Sequence, residues 1–229
     1  MTVTRWWWIR HAPVVGQDGR IYGNRDVACD CSDEAVFRGL AQLLPQEATW
    51  VVTPLSRTVK TAEAIHRQRA LPQPPFAVEA DLAEQDFGHW QSMTYAELDA
   101  QRSADWRRFW LGPAEEVPPG GESFAAVCRR VGAAVGRLTR RFSGGDVVCV
   151  SHGGPIRAAL GHALGLKPDR ALSFAIDNCA VTRLDHFAED GQTGPDEGQR
   201  AGKMGETAGP VGSWRVAAVN VKAHMPERP

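Results

Sequence analysis

The sequence predicts an α/β/α sandwich, a mostly parallel central sheet flanked by helices, and three observations carry that prediction. Short apolar runs rich in Val and Trp alternate along the chain with longer stretches of helical spacing, as strands joined by crossover helices do. The first run lacks the in-out alternation of a half-exposed strand, so it reads as a central strand covered on both faces. Two runs end in chemistry: Trp6-Trp7-Trp8-Ile9 delivers Arg10-His11 to a turn at Pro13, and Asp146 to Ser151 delivers His152-Gly153-Gly154. Strand ends are where open α/β sheets place ligands.

Residues 5–10 form the first strand. Because successive strand side chains alternate faces, its three tryptophans must point both ways, which favours burial over a ligand-stacking face. Residues 12–33, with Pro13, Gly16, Gly19 and Gly23, spell a long loop. Ser32-Asp33-Glu34 then supplies a helix start with acids in the first turn, and apolar spacing runs from Ala35 to Leu44 until Pro45. Thr49 to Thr53 is a second short buried strand. Pro54 and Ser56 open a helix through about Arg69 with Arg57 in its first turn, where a cation opposes the helix dipole. A phosphate bound there would remove the conflict; a solvated surface arginine is the plain alternative.

Pro72-Gln73-Pro74-Pro75 is a rigid connector to a third strand over Phe76 to Glu79, and Leu82 to Trp90 carries Glu84. Residues 93–111 read as one or two amphipathic helices ending in Asp105-Trp106-Arg107-Arg108-Phe109-Trp110. These close over a second anionic group or turn their aromatics into the core. After the break at Pro118-Pro119-Gly120-Gly121, a long helix runs from Glu122-Ser123 to about Phe142, with Glu122 in a first turn that suits it. Residues 146–151 form the fourth strand, followed by a helix from Ile156 to Leu164. Phe174 to Phe187 holds at least one further strand, Cys179 to Leu184. The segment 188–212 lacks periodicity and apolar anchors and reads as a mobile surface loop; Ser213 to Val221 resumes strand-like alternation before a loose tail to Pro229. Residues 1–229 are expected to make one domain.

At 229 residues with 43% apolar side chains, the chain can bury a sizeable core. A net charge of −1 leaves no global basic field, so no nucleic-acid partner is expected, and no run reaches the ~18 apolar residues of a membrane span. The five cysteines are thinly spread, and Met1 to Arg5 lacks the apolar core of a signal peptide, which points to a cytoplasmic protein with reduced thiols. Cys29-x-Cys31 suggests a metal, but no second Cys/His pair stands at ligand spacing, so neither metal nor other cofactor is expected.

Arg10-His11; Thr53-Pro54-Leu55-Ser56-Arg57-Thr58 with Thr61-Ala62; Leu82-Ala83-Glu84 leading to Phe87-Gly88-His89-Trp90; Gly120-Gly121-Glu122-Ser123; and Ser151-His152-Gly153 resemble, in this order, the motifs of the histidine phosphatase superfamily. The likeness runs from about Trp6 to about Val181. It implies that His11 attacks phosphorus to give a phosphohistidine, and that Arg10, Arg57 and His152 clamp the phosphoryl oxygens. Glu84 would protonate the leaving alcohol and then activate the hydrolytic water. It also implies substrate-binding roles for Gln17, where members usually carry Asn, and for Gly153. An imidazole attacks a phosphate monoester only when the oxygens are neutralised and the nucleophile is in line, and these residue types are compatible with that demand. His66, His89, His162, His186 and His224 read as core or loop residues.

The implied function is metal-independent hydrolysis of a small phosphorylated metabolite; the oligomeric state, a dimer included, stays open. Two alternatives stand beside it, a phosphoglycerate mutase-type phosphoryl transferase and a non-catalytic phospho-ligand-binding protein. Mutases carry Arg and Lys at about the positions of Gln85 and Tyr95 and a longer insertion before the Glu-Ser motif, which favours a phosphatase, whereas Trp106-Arg107-Arg108 resembles a mutase segment. Retention of all five candidate residues argues against a protein that only binds. Ala12 replaces the Gly that usually follows the nucleophile, and Gln91-Ser92 replaces a common Glu-Gly. Some small bacterial relatives that dephosphorylate α-ribazole phosphate have about this length, and nothing in the residues selects that nucleotide over a sugar phosphate.

Overall fold

The computed structural model describes residues 1–100, 114–188 and 212–223, and within them the strands join in one six-stranded sheet. In chain order the elements are β1 (Thr2–Arg10), α1 (Glu34–Leu43), β2 (Thr49–Val52), α2 (Ser56–Arg67), β3 (Ala77–Val78), α3 (Tyr95–Ala100), α4 (Phe124–Arg141), β4 (Asp146–Ser151), α5 (Gly153–Leu164), α6 (Pro168–Ala171), β5 (Ala180–Ala188) and β6 (Ser213–Lys222). The strand order is β3-β2-β4-β1-β5-β6. The first four are mutually parallel; β5 runs antiparallel to β1, and β6 antiparallel to β5. One apolar cluster joins α4 and α5 to Trp6, Trp8, Val147 and Cys149, and the other joins α1 and α2 to Ile9, Trp50, Val148 and Val150. Helices therefore cover both faces, which makes the predicted three-layer α/β/α sandwich.

The β1–β4 register positions the chemistry. Arg10 is paired with Ser151, so His11 and His152, the next residues on two parallel neighbours, emerge at the same end of the sheet. The tryptophans divide as strand geometry requires. Trp6 and Trp8 are fully buried and stacked with ring centroids 5.0 Å apart, and the Trp6 indole donates to Thr139 Oγ1 at 3.0 Å. Trp7 points the other way, half-buried beneath the Arg183 guanidinium and donating to Asp146 Oδ1 at 2.7 Å.

Several boundaries differ from the sequence expectation for local physical reasons. The first strand begins at Thr2, where β5 still offers partners. The long helix is capped by Ser123, whose Oγ accepts from Ala126 N at 3.1 Å, so Glu122 lies before the cap and not in the first turn. The fifth helix starts at Gly153 with His152 as its N-cap, earlier than the apolar spacing suggested, because Gly-Gly-Pro is tolerated in a first turn whose N–H groups have no intrahelical acceptor. Trp106-Arg107-Arg108, most of the 188–212 segment and His224 lie outside the described residues. Among the described residues no helix is long and apolar enough to cross a membrane.

Candidate active site

His11 is fully buried directly beyond β1, and its environment selects one tautomer. Its Nδ1 stands 2.7 Å from the Ala12 carbonyl oxygen, which can only accept, so Nδ1 carries the proton and Nε2 keeps its lone pair. The loop is held on two more sides: Ala12 N donates to Thr61 Oγ1 at 2.8 Å, and Asn178 Nδ2 donates to the His11 carbonyl at 2.7 Å. The methyl of Ala12 packs into the apolar cluster with Ile9 and Phe37, so its Cβ does not narrow the approach to the site.

Three cationic or imidazole groups stand around this lone pair. Arg57, second residue of α2, is fully buried and not a surface arginine; its two terminal nitrogens donate to the Arg25 and Gly23 carbonyls at 2.6 and 2.7 Å. Arg10 Nη1 donates to the Ile176 carbonyl at 2.7 Å. The His152 ring stands 5.1 Å from that of His11, and its Nε2 meets the Thr53 hydroxyl at 2.9 Å. Leu55 N–H donates to the same hydroxyl at 3.3 Å and Thr58 Oγ1 stands 3.1 Å from it, so the hydroxyl can either donate to His152 Nε2 or accept from it. Four buried nitrogens then lack a partner among the described residues: His11 Nε2, His152 Nδ1, and the Nε of Arg10 and of Arg57. A lone pair beside N–H donors is what a phosphoryl group needs, because its phosphorus accepts the attack and its oxygens accept the hydrogen bonds.

A cavity of about 180 Å³ adjoins this cluster, lined by Arg10, Glu84, Gly153, Gly154 and Arg157 together with the aromatic rings of Tyr22, Phe87, Trp90 and Tyr95. Tyr22 is the shared wall, its ring 6.3 Å from that of His11 and 5.2 Å from the Arg57 guanidinium. The Glu84 carboxylate accepts from Gln85 N at 2.9 Å and Gly154 N at 3.2 Å, which sets it at the positive end of α5. A Cβ on Gly154 would collide with that carboxylate, so glycine is required for Glu84 to sit there. Of the residues predicted from sequence, His11, His152, Arg10, Arg57, Glu84 and Gly153 come together. Gln17 does not: its amide faces the Val15 carbonyl at 3.5 Å, outside the cavity lining.

The whole constellation falls inside one family match. A model of the histidine phosphatase superfamily (branch 1) covers residues 6–193. The chain belongs to the histidine phosphatase superfamily. Among curated relatives it is 41% identical over 142 residues to the bifunctional protein Rv2228c of Mycobacterium tuberculosis, a match that covers 62% of this chain and 38% of that protein. The chain thus spans well under half the length of that relative. It is 32% identical over 181 residues to glucosyl-3-phosphoglycerate phosphatase of Mycolicibacterium vanbaalenii, covering 74% of this chain and 78% of the relative. Among solved structures it superposes on mycobacterial hydrolase 2 with a TM-score of 0.78 at 24% identity, over 99% of this chain and 94% of that one.

Within this superfamily member, sequence reasoning missed the residue that fastens the Glu84 segment. Arg130, on α4, donates to the carbonyls of Asp81, Ala83 and Glu84 at 2.7, 2.8 and 3.2 Å and is bidentate to Glu122 at 3.1 and 2.7 Å. Glu122 in turn accepts from Asp86 N at 3.2 Å, and Gln85 Nε2 donates to the Glu122 carbonyl at 2.8 Å. The Gly-Gly-Glu-Ser motif therefore anchors the loop that carries Glu84, and the signal was available as a Glu and an Arg eight residues apart on one helix entry. Replacing Arg130 by Met is expected to lower stability by about 2–4 kcal/mol, because a mostly buried carboxylate loses its partner. The same variant should lower kcat by about 100-fold through misplacement of Glu84, while affinity for inorganic phosphate changes little. Denaturant unfolding and steady-state kinetics check both effects. Ser92, where glycine is common, sits at φ +78°, a left-handed conformation that glycine adopts without cost.

Burial dominates the histidine electrostatics. It lowers His11 from 6.5 to about 3, with Arg57 and Arg10 acting in the same direction and the Ala12 hydrogen bond against them. Burial, then His11 and the arginines, hold His152 well below 6.5. His66, packed on Trp50 at 4.2 Å, is lowered to about 4, and His162 and His186, either side of Trp214, are also lowered by burial. Below pH 6.5 these groups take up protons in the unfolded chain but not in the folded one, so stability falls as pH drops through the window from 6.5 toward 4. The melting temperature is expected to fall by more than roughly 5 °C between pH 7 and pH 5, measured by scanning calorimetry.

Proposed function

We propose that this protein is a metal-independent phosphatase that hydrolyses small phosphate monoesters through a phosphohistidine on His11. The observation that carries the reading is the tautomer of His11: Nδ1–H is committed to the Ala12 carbonyl, so the buried Nε2 lone pair is the nucleophile. Arg10 and Arg57 neutralise the equatorial oxygens, and His152 Nδ1–H adds a donor as charge grows in the transition state. Glu84, on the cavity side, gives its proton to the leaving alcohol and recovers one from the water that cleaves the phosphohistidine. The burial that keeps His11 unprotonated supports this assignment, since a protonated imidazole has no lone pair to offer.

The substrate is proposed to be a small phosphorylated metabolite, since a cavity of about 180 Å³ accepts a leaving group of a few carbons or one sugar ring. Free thiols at all five cysteines support a reducing, cytoplasmic setting. The test is to mix the protein with p-nitrophenyl phosphate in the presence of a chelator and quench in alkali, where a phosphoramidate survives. Chelator-resistant turnover with phosphate recovered on His11 is expected. Isomerisation of 3-phosphoglycerate without phosphate release would move the reading to a mutase, and phosphate binding without turnover of any monoester would leave a binding protein.

A further inference from the structure

The cavity carries a further guanidinium, that of Arg157, to which the proposed phosphoryl transfer assigns no role. Arg157 stands one turn into α5 from Gly153, on the same helix face. Its Nε donates to the Phe174 carbonyl at 2.8 Å, which fixes the plane of the guanidinium. A side chain on Gly153 would meet Arg157 Nη1 at 3.2 Å and Arg10 Nε at 3.7 Å, so this glycine lets two guanidiniums flank one point of backbone. Arg10 serves the phosphoryl group; Arg157 lines the same cavity beside it, near enough to Glu84 for the two side chains to interact. Glu84 marks where the ester oxygen departs, so Arg157 faces the first atoms of the alcohol.

The other walls set the charge that Arg157 can take. Two carboxylates, Glu84 and Glu116, line the same cavity. With Glu84 carrying the proton it gives to the leaving alcohol, a second phosphate dianion would still meet the Glu116 carboxylate as a like charge, whereas a planar, singly charged carboxylate meets less repulsion and matches the guanidinium fork. Resting on the phosphatase reading above, we infer that Arg157 is a specificity-determining residue that binds a carboxylate borne by the leaving alcohol, so that phosphorylated hydroxy acids are favoured over monoesters of uncharged alcohols.

The test compares 3-phosphoglycerate with glycerol 3-phosphate, which differ in carboxylate against hydroxymethyl, in the wild type, Arg157→Gln and Arg157→Lys, with p-nitrophenyl phosphate as a third substrate. The readout is the ratio of kcat/KM for the acid to that for the alcohol, because a purely structural role would lower both together and leave the ratio unmoved. The ratio is expected to be at least about tenfold in the wild type, close to one in Arg157→Gln and intermediate in Arg157→Lys. Thermal melts verify folding, and Arg157→Lys carries the comparison if Arg157→Gln fails to fold. A wild-type ratio near one, or a ratio unchanged in the variants, overturns the role of Arg157. Turnover of p-nitrophenyl phosphate but of neither test substrate does the same while leaving the phosphatase reading intact; turnover of no monoester removes both.

Discussion

His11→Ala is expected to lower kcat by at least about 10⁴-fold and to abolish the alkali-stable phosphoenzyme, because the variant keeps the oxygen clamp but has no lone pair to attack phosphorus. Binding should survive better than turnover. Arg57 is held by the Gly23 and Arg25 carbonyls, Arg10 by that of Ile176, and His152 by Thr53, and none of these contacts passes through the His11 ring. Inorganic phosphate, measured by titration calorimetry, is therefore expected to bind within about tenfold of the wild-type affinity. Residual hydrolysis above about 1% of wild type, with metal removed, would mean that water or another side chain attacks and that His11 only holds the substrate.

Glu84→Gln is the second large effect, and its size should depend on the leaving group. An alkyl alcohol leaves poorly as its alkoxide, so loss of the proton donor is expected to cost about 10²–10⁴-fold in kcat on an alkyl monoester. p-Nitrophenolate leaves without a proton, so the first step on that substrate should be nearly unimpaired. The second step still needs Glu84 as base for water, so the variant should show a burst of p-nitrophenol followed by slow turnover, with phosphoenzyme accumulating. Rapid-quench kinetics read the burst directly. An equal loss on both substrates with no burst would assign Glu84 to substrate positioning instead of proton transfer. The amide is isosteric and can still accept from Gln85 N and Gly154 N, so the loop held by Arg130 and Glu122 is expected to stay in place.

Much of the molecule is legible in the residues themselves. Apolar runs bounded by Pro and Gly mark β1, β2 and β4, helical spacing marks α1, α2 and α4, and Arg10-His11 and His152 announce themselves because polar residues at the end of an apolar strand have no structural reason to be there. Arg57 was legible as an electrostatic conflict, a cation in the first turn of a helix, although its complete burial between two carbonyls was not. These are local signals, carried by neighbours in sequence.

What only the tertiary structure decided is long-range. The pairing of Arg10 with Ser151 brings two histidines together from strands more than half the chain apart, and no spacing rule encodes that register. The grip of Arg130 on the Glu84 segment joins residues 46 positions apart, and the place of Arg157 beside Arg10 depends on where α5 begins. Gln17 shows the converse: its position after the nucleophile suggested a role, yet the loop turns its amide back to Val15. The physical reason is common to all of these. Local propensity and pattern determine which residues lie on which face of an element, whereas which faces meet is settled by packing the whole core, and a site built between elements becomes visible only once they are packed.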